Sequence, residues 1–124
     1  MNKKHITHGK LKVFMILFLA VILIVLVVVC AKKIKLSQNE KNIIGTWKNS
    51  NSENVITVQD SDTLILYNDI PEAGLYHGNA SYHFSYTDTI CITQDDISAE
   101  FDIDVDENQL IIYFAGQVYL VLQK

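Results

Sequence analysis

Nineteen consecutive apolar residues, Val13 to Ala31, constrain this chain more than any other feature of it. At ~1.5 Å per residue such a block spans about 28 Å as a helix, close to the ~30 Å hydrocarbon core of a bilayer. It is rich in Val and Ile, which form helices reluctantly in water. In lipid, however, a lone segment satisfies its backbone only as a helix. Lys3, Lys4, Lys10 and Lys12 flank the block on one side and Lys32, Lys33 and Lys35 on the other. Three readings are open. A cleaved signal peptide has a shorter apolar region, ~7–15 residues, and small residues at the cut; Val29-Cys30-Ala31 would have to serve. A lipoprotein would place a small residue before Cys30, where this chain has Val29. An uncleaved single-span anchor fits the length, and it is the reading adopted.

Lysine counts on the two flanks nearly balance, so the positive-inside rule decides little. The short N-terminal tail favours an N-terminus in the cytoplasm and the rest of the chain outside. The expected organisation is therefore a basic cytoplasmic tail over 1–12, a transmembrane helix over 13–31, a polar stalk over 32–42 and a folded domain over 43–124. Charge divides along the same line. Residues 1–41 hold eight Lys and one Glu, whereas residues 42–124 hold two Lys and thirteen acids, a balance of −11. A domain so acidic repels phosphates, which argues against nucleic acid as a partner. With Cys91 alone outside the apolar block, the domain has no internal disulfide.

From Ile43 onward no stretch keeps a 3.6-residue apolar period. Short runs of β-branched and aromatic residues alternate with turn residues, which predicts an all-β antiparallel meander or barrel of about seven to nine short strands. Strands are expected near Gly45–Lys48, Val55–Gln59, Thr63–Tyr67, Leu75–His77, Ser81–Tyr86, Thr89–Thr93, Ala99–Val105, Leu110–Phe114 and Val118–Leu122. Pro71 with Gly74 reads as a turn. Thr87-Asp88, Asp106-Glu107-Asn108 and Ala115-Gly116-Gln117 are spaced as hairpin turns. Alternation assigns faces: Tyr82, Phe84 and Tyr86 share one side of a strand. Phe101, Ile103 and Val105 point inward, with Glu100, Asp102, Asp104 and Asp106 outward. Ile90 and Ile92 point inward, leaving Cys91 on the other side. The last two strands are apolar on both faces, Leu110, Ile112, Phe114, Val118, Leu120 and Leu122 against Ile111, Tyr113, Tyr119 and Val121.

The sequence Ile44-Gly45-Thr46-Trp47, opening a β-meander after a membrane leader, resembles the small lipocalin-like domains of bacterial membrane-anchored envelope proteins. The resemblance covers about residues 43–124 and rests on a three-residue Gly-x-Trp motif. It implies a compact antiparallel barrel begun by that strand, with Gly45 and Trp47 as structural residues and Trp47 plugging the barrel base. Two features differ. A full lipocalin is nearly twice this length, and its tryptophan packs under an arginine from a late strand, whereas this chain contains no arginine.

Candidate sites are few. The row Glu100, Asp102, Asp104, Asp106 is the densest charge feature, but alternate residues on one strand lie ~6.6–7 Å apart, too far to share a small cation without help from a neighbour. Asp102-x-Asp104-x-Asp106 opens like an EF-hand loop, yet the sixth position is Glu107 and the twelfth Tyr113, so the motif fails. The row reads as a solvated face, with a cation site or a surface for a cationic partner as alternatives. His77 and His83 could converge across a hairpin at Gly78-Asn79, without a cysteine or carboxylate at ligand spacing. No nucleophile elbow and no phosphate loop occurs, Cys91 has no base beside it in sequence, and no cofactor or enzymatic activity is expected. The expected function is that of a membrane-anchored, extracytoplasmic binding or interaction module. Its candidate partner surface comprises Ile111, Tyr113, Tyr119, Val121, His77 and His83. A structural protein acting through its transmembrane helix and a small-ligand barrel are the alternatives.

Overall fold

The computed structural model describes residues 3–60 and 62–124, with side chains from Gly9 onward. The tail side chains Lys3, Lys4, His5 and His8 fall outside that range. The chain forms two compact units, residues 1–34 and 35–124. Helix α1 runs over Lys3–Asn42. Over Val13–Ala31 its side chains are apolar on all sides, and Val13, Leu17, Ile24 and Val27 among others are exposed. A segment apolar all round and left uncovered by the described residues has the length and composition to cross a membrane.

The second unit is a closed antiparallel barrel of eight strands in chain order: β1 (Gly45–Lys48), β2 (Asn54–Val58), β3 (Thr63–Leu66), β4 (Gly78–Tyr86), β5 (Thr89–Gln94), β6 (Ile97–Val105), β7 (Gln109–Phe114) and β8 (Gln117–Gln123). An even strand number lets an up-and-down meander close with β1 antiparallel to β8. That seam is the slightest in the barrel, one registered pair, Lys48 with Gln123. The expected strand at Leu75–His77 is absent. Pro71–Ala73 instead forms a 3₁₀ turn ended by Gly74 at φ +74°, and Leu75 makes a single bridge to Ile70. Leu75 is fully buried because this loop folds inward.

Side-chain alternation holds along β6 and β5: Phe101, Ile103, Val105, Ile90 and Ile92 are all buried. It fails where a strand carries an extra residue. Tyr86, expected on one face with Tyr82 and Phe84, is 69% exposed, because the register with β5 shifts between Phe84 and Tyr86 and leaves Ser85 unpaired. On β8 the shift falls between the pairs Ile112–Leu120 and Tyr113–Val118, so Tyr119 is the extra residue. Val118, expected on one face with Leu120 and Leu122, is therefore turned to the other and 58% exposed. Of the turns, Ala115 (φ +52°) and Gly116 (φ +79°) form a two-residue link of the primed type, which matches strand twist.

The expected stalk segment Ser37–Asn42 is helical, and its last turns pack on the barrel. Asn39 is 2% exposed and its Nδ2 donates to the Thr87 carbonyl at 2.8 Å, across the β4–β5 turn. The carbonyls at the helix end, which have no intrahelical partner, are taken by the barrel. Lys124 Nζ donates to Asn42 O at 3.1 Å, and Trp47 Nε1 donates to Ile43 O at 2.8 Å. Trp47 has no exposed surface, and Lys124 Nζ lies 4.9 Å from its ring centroid. A lysine thus stands over the tryptophan, a cation–π contact of about 0.5–2 kcal/mol.

Gly45 makes this stacking possible. Its φ is +137°, and a Cβ there would stand 2.8 Å from Lys124 Cε. The positive φ is what calls for glycine two residues before the tryptophan, and a Cβ there would also push the end of the Lys124 side chain aside. Gly45→Ala is expected to lower stability by about 1–3 kcal/mol from backbone strain alone, seen as an earlier urea midpoint with an unchanged m-value. An unchanged midpoint would mean that neither the φ nor the lysine contact matters.

Candidate functional site

The strongest surface feature lies on the outer face of β6, β7 and β8. The register places Asp104 beside Ile111 and Asp102 beside Tyr113, then Ile111 beside Val121 and Tyr113 beside Val118. Two cross-strand pairs of apolar side chains thus stand on the outside, with carboxylates along one edge. Val118 and Val121 are 58% and 50% exposed, while Ile111 and Tyr113 are half-buried. Three of the four apolar residues expected on this face are there. The fourth, Tyr119, is not: it packs against the core, 6.4 Å ring to ring from Phe114, and its hydroxyl donates to Glu72 Oε2 at 3.0 Å. Burial and Glu72 push its phenol pKa upward. Val118 takes its place on the outer face, a substitution no local sequence pattern announces because the bulge is set by pairing with β7.

The acidic row is shorter than its spacing suggested. Glu100, Asp102 and Asp104 point out from β6, and Asp102 Oδ1 accepts from Thr89 Oγ1 at 2.9 Å. Asp106 lies beyond the strand and caps the β6–β7 turn. Its Oδ1 accepts the N–H groups of Asn108 and Gln109, both at 2.8 Å, which holds its carboxyl below the usual range. Among the described residues no group of three or more His, Cys, Asp or Glu is placed to share a metal ion.

His77 and His83 do not meet. Gly78-Asn79, the expected hairpin tip, lies inside β4, so the two histidines follow one another along extended chain, about 20 Å apart. His77 instead belongs to the loop before β4: Asp69 Oδ1 accepts its backbone N–H at 2.9 Å and lies 2.7 Å from Nδ1. The backbone bond first, then the ring, lower the Asp69 pKa. Cys91 pairs across strands with His83 and with Glu100, a juxtaposition hidden in the linear sequence. No hydrogen bond joins Cys91 to either among the described residues, and a cysteine between its two neighbours lacks the base-between order of a relay.

Large apolar side chains occupy much of the barrel interior. Phe101 is buried and tilts against Phe114 at 5.3 Å, while Phe84 meets Tyr82 edge-on at 6.4 Å. Elsewhere a cleft of about 530 Å³ opens beside Tyr82 and Phe84, lined by carboxylates that stand far apart in the sequence. No protein-family model, curated protein or solved structure matches this chain.

Asp69 and Asp106 both have folded-state pKa values below the unfolded one. The stability each lends is present above the unfolded value, near ~3.9, and is lost as pH falls through the folded value. The double variant Asp69→Asn, Asp106→Asn should therefore show a flatter fall in melting temperature between about pH 5 and pH 2 than the parent. Identical acid limbs, followed by near-ultraviolet circular dichroism, would show that these turn contacts do not persist in solution.

Proposed function

We propose that the chain is a membrane-anchored interaction module, with the helix as a single-span anchor, the N-terminus in the cytoplasm and the barrel outside. The observation that carries the reading is the pair of uncovered valines, Val118 and Val121, completing with Ile111 and Tyr113 an apolar strip on an otherwise acidic barrel. Exposed apolar side chains in register on two strands serve no purpose in the core. Beside a row of carboxylates they suit a partner that presents an apolar contact flanked by cationic side chains. A barrel interior crowded with large apolar side chains speaks against a roomy ligand-holding cup, and the lipocalin-like kinship remains part of this proposal through the Gly45–Trp47 motif and the meander. No reaction is assigned to it.

Two measurements on intact cells test this. External protease should digest the barrel without lysis, and a barrel protected until lysis would reverse the orientation. A photoreactive phenylalanine at Val121 should give a discrete crosslinked product, absent when it is placed at Asn51 in the β1–β2 loop. Val118→Asp should weaken the Val121 crosslink about tenfold or more, since a buried unpaired charge costs several kcal/mol. Equal products at both positions, or none at Val121, would remove the docking face.

A further inference from the structure

The barrel wall is incomplete beside β8, and the gap has the form of a strand. β8 runs seven residues, Gln117–Gln123, whereas β1 runs four, Gly45–Lys48, and only Lys48 and Gln123 are in register. After Lys48 the chain leaves the wall. Asn49 N–H donates to Glu53 O and Ser52 N–H to Asn49 O, each at 3.0 Å, which closes a tight turn. From Gln117 to Val121, about 17 Å of extended chain, β8 therefore has β7 on one side and no strand on the other. Lys124 N–H donates to Asn108 O, just before β7, at 3.3 Å. Backbone groups alternate along a strand, so Gln123 and Val121 turn theirs the other way, Gln123 to Lys48 and Val121 to the gap. Among the described residues no backbone group bonds the Val121 N–H or C=O from that side.

A small pocket of about 100 Å³ marks the same gap independently. Val55 and Ile56 of β2 line it together with Tyr119 and Leu120 of β8, although β1 stands between those strands in the order of the barrel. Its lining is mainly apolar, with Asp69 among it. A pocket of this size has room for one aliphatic side chain, since a cavity of ~150 Å³ takes a benzene. Edge, pocket and outer strip are continuous along β8: Leu120 lines the pocket, Val121 offers its backbone, and the Val118 and Val121 side chains stand outside. All belong to the second compact unit.

We propose that an extended segment of a partner protein adds to β8 as a further strand, its backbone pairing with the Val121 N–H and C=O. This rests on the docking face read above and names how that face takes its partner. Side chains of such a segment alternate, so those facing out lie beside Val118 and Val121 while one facing in enters the pocket. Charge selects a basic segment: Glu53 is exposed where the turn ends, Asp69 lines the pocket, and residues 42–124 carry two Lys against thirteen acids. A second copy of the chain does not fit. Its β8 is already bonded to β7, and the gap is bounded opposite β8 by the β1–β2 turn, so it admits one free strand and not the wall of another barrel.

Amide hydrogen exchange on the full chain in an uncharged detergent, read by NMR, tests the proposal. In the protein alone the Val121 amide should exchange about tenfold or more faster than that of Leu122, whose N–H turns to β7. A capped heptapeptide of alternating lysine and valine is the probe, and it should slow Val121 exchange saturably. Two further peptides keep every side chain and charge but are N-methylated, one at its valines and one at its lysines. One of the two should bind about tenfold more weakly and the other like the parent, because only one set of N–H groups faces β8. Val121→Pro removes the edge donor and spares the β7 ladder, so it should weaken binding about tenfold, whereas Val121→Thr should change it by less than about threefold. Melting curves check both variants, and where the proline variant does not fold the methylated peptides decide. The proposal falls if the peptide leaves Val121 exchange unchanged or if both methylated peptides bind like the parent. It also falls if Val121 is already protected in a protein that light scattering shows to be dimeric, since a second copy would then be the occupant. A cellular crosslink from Val121 alongside any of these results keeps the docking face and removes strand addition. Peptide pairing without a cellular crosslink removes the docking face itself.

Discussion

Trp47 is the residue on which the closure of this barrel depends. Its indole N–H holds the Ile43 carbonyl, its ring is covered by Lys124, and the same lysine takes the Asn42 carbonyl. One side chain from β1 and one from the end of β8 thus satisfy both carbonyls where α1 gives way to the barrel. The seam between those strands has a single registered pair, so ladder hydrogen bonds alone hold it poorly. The large buried aromatic surface supplies most of the cohesion there, and the lysine ties the strand end over it. A lysine is sufficient because the contact needs a cation on a long apolar stem and one donor for one carbonyl, not a planar fork for two acceptors.

Much of this architecture was legible because alternation is a local property. In Phe101–Val105 each inward residue is large and apolar and each outward one carries charge, so strand and face follow from five residues, although the strand begins at Ile97, two residues before the expected Ala99. Bulges are not local in this sense. Whether Ser85 or Tyr119 is the extra residue depends on how a neighbouring strand pairs, and each shift reverses the face of the residues beyond it. That is why Tyr86 and Val118 lie outside against the simple pattern, and why Tyr119 left the partner face that Ile111, Tyr113 and Val121 share. The helix end was hidden for another reason. Ser37–Asn42 is polar and looks solvated, but Asn39 is buried because its amide meets a carbonyl forty-eight residues away.

The candidate surfaces were half-visible by the same logic. The carboxylates of β6 could be read from one strand, but their apolar neighbours come into register only through β7 and β8. Glu40, Asp60, Asp62 and Tyr82 lie on three different elements, so no window of sequence groups them. Conversely, the spacing of His77 and His83 implied a meeting that an uninterrupted β4 forbids.

Charge ties these features together. Of the two lysines in residues 42–124, Lys124 is committed to Trp47 and the helix end, and Lys48 stands at the seam. The only ion pair among the described residues joins His77 to Asp69. The other described carboxylates have no cationic partner among the described residues, and two charges ~7 Å apart in water repel by only about 0.6 kcal/mol, which salt screens further. Each pair is tolerable alone, and dispersal over β6, the turns and the cleft keeps the sum small. What dispersal cannot do is neutralise them, so the field outside the barrel stays negative and draws cations toward it. Under the proposed docking role, an apolar strip beside such a field would favour partners that are both apolar and basic.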